Sequence, residues 1–323
     1  MNVISVDGLV KRFDDLTAVD GVSFTVRSGE IFGFLGPNGA GKSTTISMLA
    51  TLLHPSGGTA TVNGYDIRTS RDAVRQSIGL VFQDTSLDDR LTAEENLRFH
   101  ARLYGVFGNQ YRERVHEVLQ LVDLWDRRND IVRNYSGGMK RRLEIARGLL
   151  QYPRVLFLDE PTLGLDPQTR IHIWEYIHRL KQEHRMTIFL TTHYMQEAEH
   201  CDRIAVIDHG KIIANDSPAA LKQQVGDDVI TIQSNDRVAL KGAIEEQFNY
   251  HVQEEDGVLR VGVKNGEQIL PRLLRDLPGD IESIQLAKPT LEDVFIHLTG
   301  RTIREETADA TTRWKERRRR RNR

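Results

Sequence analysis

A short apolar run, Glu30-Ile-Phe-Gly-Phe-Leu35, leads into Gly36-Pro-Asn-Gly-Ala-Gly-Lys-Ser43-Thr44 and then into Thr45-Ile-Ser-Met-Leu-Ala-Thr-Leu-Leu53. Few backbone paths satisfy all three pieces. The first is β-prone and bounded by Ser28-Gly29 and Gly36-Pro37, as Ser23-Phe-Thr-Val26 is by the same Ser28-Gly29, and the last is helix-like, so the glycine segment must turn a strand into a helix. Gly36, Gly39 and Gly41 permit conformations that aim successive N–H groups at phosphate oxygens, and the start of the following helix adds its positive end. In the pattern G-x-x-x-x-G-K-S, Lys42 reaches the β- and γ-phosphates and the Ser43 hydroxyl ligates Mg²⁺. Pro37, Asn38, Ala40 and Thr44 complete the stretch expected to surround the phosphates. A Gly-rich turn that merely precedes a lysine would lack the strand and helix on its two sides.

Arg154-Val-Leu-Phe-Leu-Asp159-Glu160 is a second buried-strand signal, and it ends in two carboxylates. Uninterrupted apolar runs of this kind suit a parallel sheet covered on both faces, and hence an α/β fold. Asp159 at the strand end is placed for the Mg²⁺ shell, and Glu160 for polarising a water toward the γ-phosphate. A strand leaving into an acidic turn would look the same in isolation; the preceding phosphate loop favours the chemical reading.

Asn134-Tyr-Ser136-Gly137-Gly138-Met139, shortly before this strand, adds a third motif. With it the chain resembles the ABC-type ATPases, and the resemblance covers residues 3 to 215 with the motifs in family order. It implies a P-loop ABC ATPase cassette that hydrolyses ATP with Mg²⁺. It also implies that Ser136, Gly137 and Gly138 bind the γ-phosphate of ATP held by a second copy, so that catalysis needs a homodimer. A hydroxyl and close backbone donors at a helix start suit an anion. Gln83 looks like the Q-loop glutamine that senses Mg²⁺ and the attacking water, Asp166 in Leu163-Gly-Leu-Asp166 like the D-loop, and His193 after Thr187–Thr192 like the switch histidine. Phe13 matches the aromatic that stacks on adenine. Tyr135 and Met139 stand where Leu and Gln are usual, and Met lacks the donors of Gln. The Tyr-Ser-Gly-Gly-Met form, followed by Lys140-Arg141-Arg142, resembles the drug-exporter ATPases of the daunorubicin-resistance type.

Residues from about 84 to 150 carry helical periodicity, as in Ala93–Leu103 and Arg114–Val122, and look like the helical subdomain inserted in such cassettes. The family presents it to a membrane-spanning permease, with contact expected near Gln83 and Asp84 to Leu91. The cassette is expected over residues 1–220. After Ser217-Pro218, the segments at 229–233, 237–246, 250–253, 258–263, 268–274 and 281–286 read β-α-β-β-α-β, a small α+β accessory domain over 225–300. Its closing stretch, Lys288–Gly300, resembles the same subfamily; dimer support, regulation and simple bulk remain open roles.

The chain has 323 residues, room for about two domains at roughly 150 residues each. Its formal charge of −2 conceals a basic end, since residues 313–323 carry a local +7 and leave 36 basic against 45 acidic residues elsewhere, a body at −9. Residues 301–323 are expected to be disordered, with anionic lipid, nucleic acid or solvent alone as the alternatives for the basic run. Cys201 is the single cysteine, which excludes an internal disulfide and fits a reducing compartment. No stretch approaches the ~20 apolar residues of a membrane span, and the N-terminus has no secretory h-region. The expectation is therefore a peripheral protein at the cytoplasmic face of the membrane, binding a separate permease and no nucleic acid. The expected function is ATP-driven export of an apolar drug or lipid-like compound. The rival is a non-transport ABC ATPase of ribosomes or DNA, although neither a second cassette nor a long coiled-coil insertion is present.

Overall fold

Strands that bury alternate residues and strands buried throughout fall into different sheets of the computed structural model, which describes residues 1–255, 258–277 and 281–299. Strands β1 (Asn2–Phe13) and β2 (Leu16–Arg27) bury Ile4, Val6, Leu9, Val22, Phe24 and Val26 between more exposed neighbours. By contrast, β3 (Ile31–Leu35) is buried at all five positions. The chain continues through α1 (Lys42–Leu49), β4 (Gly57–Val62), β5 (Tyr65–Asp66), α2 (Arg71–Ser77) and β6 (Ile78–Val81). Helices α3 (Ala93–Leu103), α4 (Gly108–Leu121) and α5 (Gly137–Leu149) precede β7 (Val155–Asp159). Then come α6 (Pro167–His184), β8 (Thr187–Thr192), α7 (Met195–Ala198), β9 (Arg203–Asp208) and β10 (Lys211–Asp216).

One sheet is antiparallel, in the order β2-β1-β4-β5. The other has the order β10-β9-β3-β8-β7-β6, and only β10 runs against its neighbour. Strands β3, β7 and β8 are buried along their whole length, as a parallel sheet covered on both faces requires. Between the sheets Phe24, Phe32, Phe34 and Phe157 gather around Phe189 at 5.4–5.9 Å between ring centroids. Each such ring contributes about 1.5–3 kcal/mol by leaving water.

Local signals set several ends. Helix α3 starts where Thr92 and Glu95 cap each other, the Glu95 amide donating to Thr92 Oγ1 at 3.2 Å and the Thr92 amide to Glu95 Oε2 at 2.8 Å. The helix expected over Thr45–Leu53 instead begins at Lys42 and stops at Leu49. Thr51 takes a left-handed φ of 62°, and the amides of Leu52 and Leu53 both turn back to Ser47 O at 2.8 and 3.0 Å, which closes the helix early.

The described residues make two compact units, Met1–Ser217 and a second beginning at Pro218. The second contains α8 (Pro218–Val225), β11 (Asp228–Ser234), α9 (Arg237–Phe248), β12 (Val252–Glu255), β13 (Val258–Val263), α10 (Gly266–Asp276), β14 (Ile281–Ala287) and α11 (Leu291–Thr299). From β11 to β14 this is the expected β-α-β-β-α-β order, with the sheet arranged β12-β13-β11-β14 and every pair antiparallel. Ile230, Ile232, Leu259 and Val261 pack with Leu240, Ile244 and Leu273 in its core. Among the described residues no helix is long and apolar enough to cross a membrane. The basic tail expected over 301–323 lies outside the described residues.

Candidate functional site

Adjacent parallel strands deliver their following loops to one edge of a sheet, the edge where α/β folds bind ligands. Here β3, β8 and β7 are neighbours, with Leu35 opposite Thr192 and Asp159 opposite Thr191. The glycine loop, the Asp159-Glu160 pair and His193 therefore meet without any long-range adjustment. An open cleft of about 760 Å³ lies there, whose lining includes Phe13, Asn38, Gly39, Gly41, Lys42, Ser43, Thr44, Gln83, Glu160 and His193.

The loop supplies donors in two ways. Gly39 and Gly41 have φ of 81° and 106°, accessible to glycine at little cost. The amides of Lys42, Ser43 and Thr44 form the first turn of α1, where an α-helix has no internal acceptors to offer. Gly36 differs from the expectation. Its amide already donates to Thr192 O at 3.2 Å, and a Cβ there would lie 2.3 Å from Ile207 O, so glycine is required by crowding rather than to aim a donor. Likewise Pro37 has no N–H and the Ala40 amide donates to Pro37 O at 3.2 Å; Gly36, Pro37 and Ala40 shape the loop from behind. Lys42 is 5% exposed, and its Nζ donates to Gly36 O at 2.8 Å and Pro37 O at 3.1 Å.

At the strand ends, Ser43 Oγ donates to Asp159 Oδ1 at 3.1 Å and Thr191 Oγ1 donates to the same oxygen at 2.5 Å. Glu160 Oε1 lies 3.3 Å from Lys42 Nζ and 3.3 Å from His193 Nδ1. His193 Nδ1 is buried, and among the described residues the Glu160 carboxylate is its charged neighbour. Burial alone would push the Glu160 carboxyl up, but His193 and Lys42 together outweigh it and hold it below the ordinary carboxylate range. Burial draws the Lys42 ammonium down, with Glu160 and Asp159 opposing. Glu160 is thus kept ionised.

Phe13 stands at the rim, 41% exposed, with Lys11 Nζ 4.8 Å from its ring centroid. Ser136, Gly137, Gly138 and Asp166 are not on this cleft. Ser136 and Gly137 are exposed at the start of α5, where Ser136 Oγ accepts from the Met139 amide at 3.3 Å. Ser136, Gly138 and Met139 line a separate depression with Thr169 and Tyr176. Asp166 caps α6, accepting from the Thr169 amide at 3.0 Å and from Thr169 Oγ1 at 2.6 Å. Tyr135 is buried, and its hydroxyl donates to Arg127 O at 2.7 Å.

Two residues of the site escaped the sequence reading. Thr191 accepts from the Glu160 amide at 3.0 Å while donating to Asp159, so a single hydroxyl fixes both carboxylate residues. Its signal is a pair of hydroxyls, Thr191 and Thr192, closing a fully buried strand. Arg141, singled out in the sequence only within the Lys140-Arg141-Arg142 stretch of the subfamily resemblance, is 7% exposed and reaches the backbone of the Asp159–Pro161 turn.

Residues 19–163 match the sequence model of the family described as ABC transporter, and residues 217–299 that of the ATP-binding protein DrrA1-3-like, C-terminal domain. The chain is 40% identical over 306 residues to the daunorubicin/doxorubicin resistance ATP-binding protein DrrA of Streptomyces peucetius, covering 92% of each chain. It is 41% identical over 310 residues to the Nod factor export ATP-binding protein I of Burkholderia orbicola, covering 94% of this chain and all of that one. Among solved structures, the ATP-binding cassette MJ0796, a dimer in a post-hydrolysis state bound to ADP and Pi, superposes with a TM-score of 0.59 at 27% identity, over 66% of this chain and 98% of that one.

Proposed function

This chain belongs to the ATP-binding subunits of ABC transporters, ATPases that dimerise and drive a membrane permease, and on that premise we propose how the residues of its cleft divide the work. The observation that carries the proposal is the convergence of Lys42, Ser43, Asp159, Glu160 and His193 at the carboxyl ends of β3, β7 and β8. Amides of the glycine loop and Lys42 grip the β- and γ-phosphates of ATP. Phe13 offers its face to adenine. Glu160 takes the proton of the attacking water, and His193 steadies the γ-phosphate and Glu160 together.

The donors present fit Mg²⁺. A hydroxyl and a carboxylate oxygen 3.1 Å apart are the hard ligands this ion prefers, supplemented by phosphate and water oxygens. Ser43, Asp159 and Gln83 would hold it. When bound, it neutralises charge on the phosphates.

Ser136 and Gly137, exposed and outside their own cleft, are the surface offered to the nucleotide of a second copy, alongside Asp166. Gln83 and residues 84–91 meet the permease, at the cytoplasmic face of the membrane. The cargo is an apolar drug or lipid-like compound; the full-length similarity to a drug-resistance protein and an export protein supports this over action on ribosomes or DNA.

The decisive substitution is Glu160→Gln. It preserves shape, so nucleotide binding persists, while turnover falls by about 10²–10⁴-fold, the worth of a positioned general base. Normal turnover of this variant would remove Glu160 from the role.

A further inference from the structure

Three charged side chains are buried in a row on one face of α5: Arg141 at 7%, Glu144 at 0% and Arg147 at 5% exposure. Their spacing of three residues stacks them along the helix, the same helix that begins with Ser136-Gly137-Gly138. Charges so deep need partners, and Arg141 has an acceptor for each of its five N–H donors. Nε donates to Pro161 O at 2.7 Å, Nη1 to Phe82 O at 2.5 Å and to Glu144 Oε2 at 3.1 Å, and Nη2 to Asp159 O at 3.0 Å and Glu160 O at 3.2 Å. One guanidinium thus holds three successive carbonyls of the turn that carries both carboxylates.

That turn needs holding. Glu160 has φ of 46°, left-handed for a residue with a side chain, and such a conformation persists only when its surroundings impose it. Arg141 binds the Glu160 carbonyl while Thr191 binds its amide at 3.0 Å. The rest of the row reaches the segment beyond Gln83: Glu144 Oε1 accepts from the Ser86 amide at 2.8 Å, and Arg147 Nη1 donates to Ser86 O at 3.2 Å.

We propose that Arg141 is a positioning residue for ATP hydrolysis: its planar fork fixes the strained Asp159–Pro161 turn, and hence the Glu160 carboxylate, and links it through Phe82 to the segment bearing Gln83. The inference rests on Glu160 being the base, as proposed above. A lysine cannot replace the fork, because an ammonium is a point charge that cannot span three carbonyls.

The test is steady-state ATPase activity of the full chain, with nucleotide affinity measured separately by a fluorescent ATP analogue. Arg141→Lys keeps a positive charge beside Glu144 and is expected to lower kcat on the order of 10²-fold, the effect of a displacement near 1 Å at a reacting group, with affinity unchanged. Glu160→Gln, which alone tests whether Glu160 is the base, is then added to Arg141→Lys. If Arg141 acts through Glu160, the second change costs about 10²-fold less in that background than in the parent chain. Full kcat for Arg141→Lys, or the same fold-loss from Glu160→Gln in both backgrounds, would overturn the proposal. Should Arg141→Lys fail to fold, Arg141→Gln with Glu144→Gln removes one positive and one negative charge of the three and keeps the net charge of the row, and the same two criteria apply to it.

Discussion

Replacing Thr191 by valine deletes one oxygen and keeps the shape, and the structure gives the cost. Thr191 is fully buried, and its hydroxyl donates to Asp159 Oδ1 at 2.5 Å and accepts from the Glu160 amide at 3.0 Å. A hydrogen bond to a charged acceptor contributes about 1.5–3 kcal/mol, and a buried amide left without an acceptor costs about 1–3 kcal/mol. The extra methyl recovers about 0.8 kcal/mol by burial. The net loss expected for Thr191→Val is therefore about 2–5 kcal/mol. Thr191→Ser keeps both hydrogen bonds, loses only a buried methyl and should cost about 0.5–1.5 kcal/mol. Urea unfolding followed by far-ultraviolet circular dichroism, with the slope checked for constancy, measures both. A valine variant as stable as the parent, or a serine variant less stable than the valine one, would refute the assignment of that hydroxyl to the two carboxylate residues.

Burial, with Arg147 adding to it, holds the His100 imidazole at a pKa of about 4, below its ordinary 6.5. The unfolded chain takes up this proton as pH falls through 6.5 while the fold refuses it until about 4, so stability is lost across that window. His100→Gln should flatten the acid limb of a pH series of urea midpoints by up to about one proton, and an unchanged slope would contradict this. At Gly138 an added Cβ would lie 2.4 Å from Thr169 Cγ2, and Thr169 is tethered to Asp166 by a 2.6 Å hydrogen bond. Gly138→Ala should cost about 1–3 kcal/mol in thermal unfolding, and Thr169→Ser, which deletes that methyl, should restore most of it.

What the sequence discloses and what it hides differ by the range of the forces involved. Ala93–Leu103 could be read to the residue because its start is set by neighbours in the chain, Thr92 and Glu95. The glycine loop and Glu160 could be read because each follows a buried apolar strand, whereas Gln83 and His193 could be read only through the family resemblance, since a glutamine or histidine after a strand announces no chemistry by itself. The early end of α1 could not, since it depends on Thr51 entering a left-handed conformation that its side chain does not announce. Nor could Arg141: in Lys140-Arg141-Arg142 three cations look alike, and only packing sends the middle one inward while Lys140 pairs with Asp89 at 2.9 Å and Arg142 reaches Tyr176 Oη at 3.1 Å. Gly36 was expected to be a glycine for its own dihedral freedom, whereas the carbonyl of Ile207, far along the chain, is what excludes a side chain.

The same crowding recurs at Gly41, where a Cβ would lie 2.4 Å from Ala18 O. Backbone from two different sheets thus walls in the loop, and backbone does not yield as side chains do. At the other end of the cleft Phe13 and Leu16 are 41% and 65% exposed. Substitution at this rim can therefore change side chains freely, while the loop enclosed by the two sheets leaves no room for a Cβ at Gly36 or Gly41. The rim of the cleft is its adjustable part, and the glycine loop its fixed one.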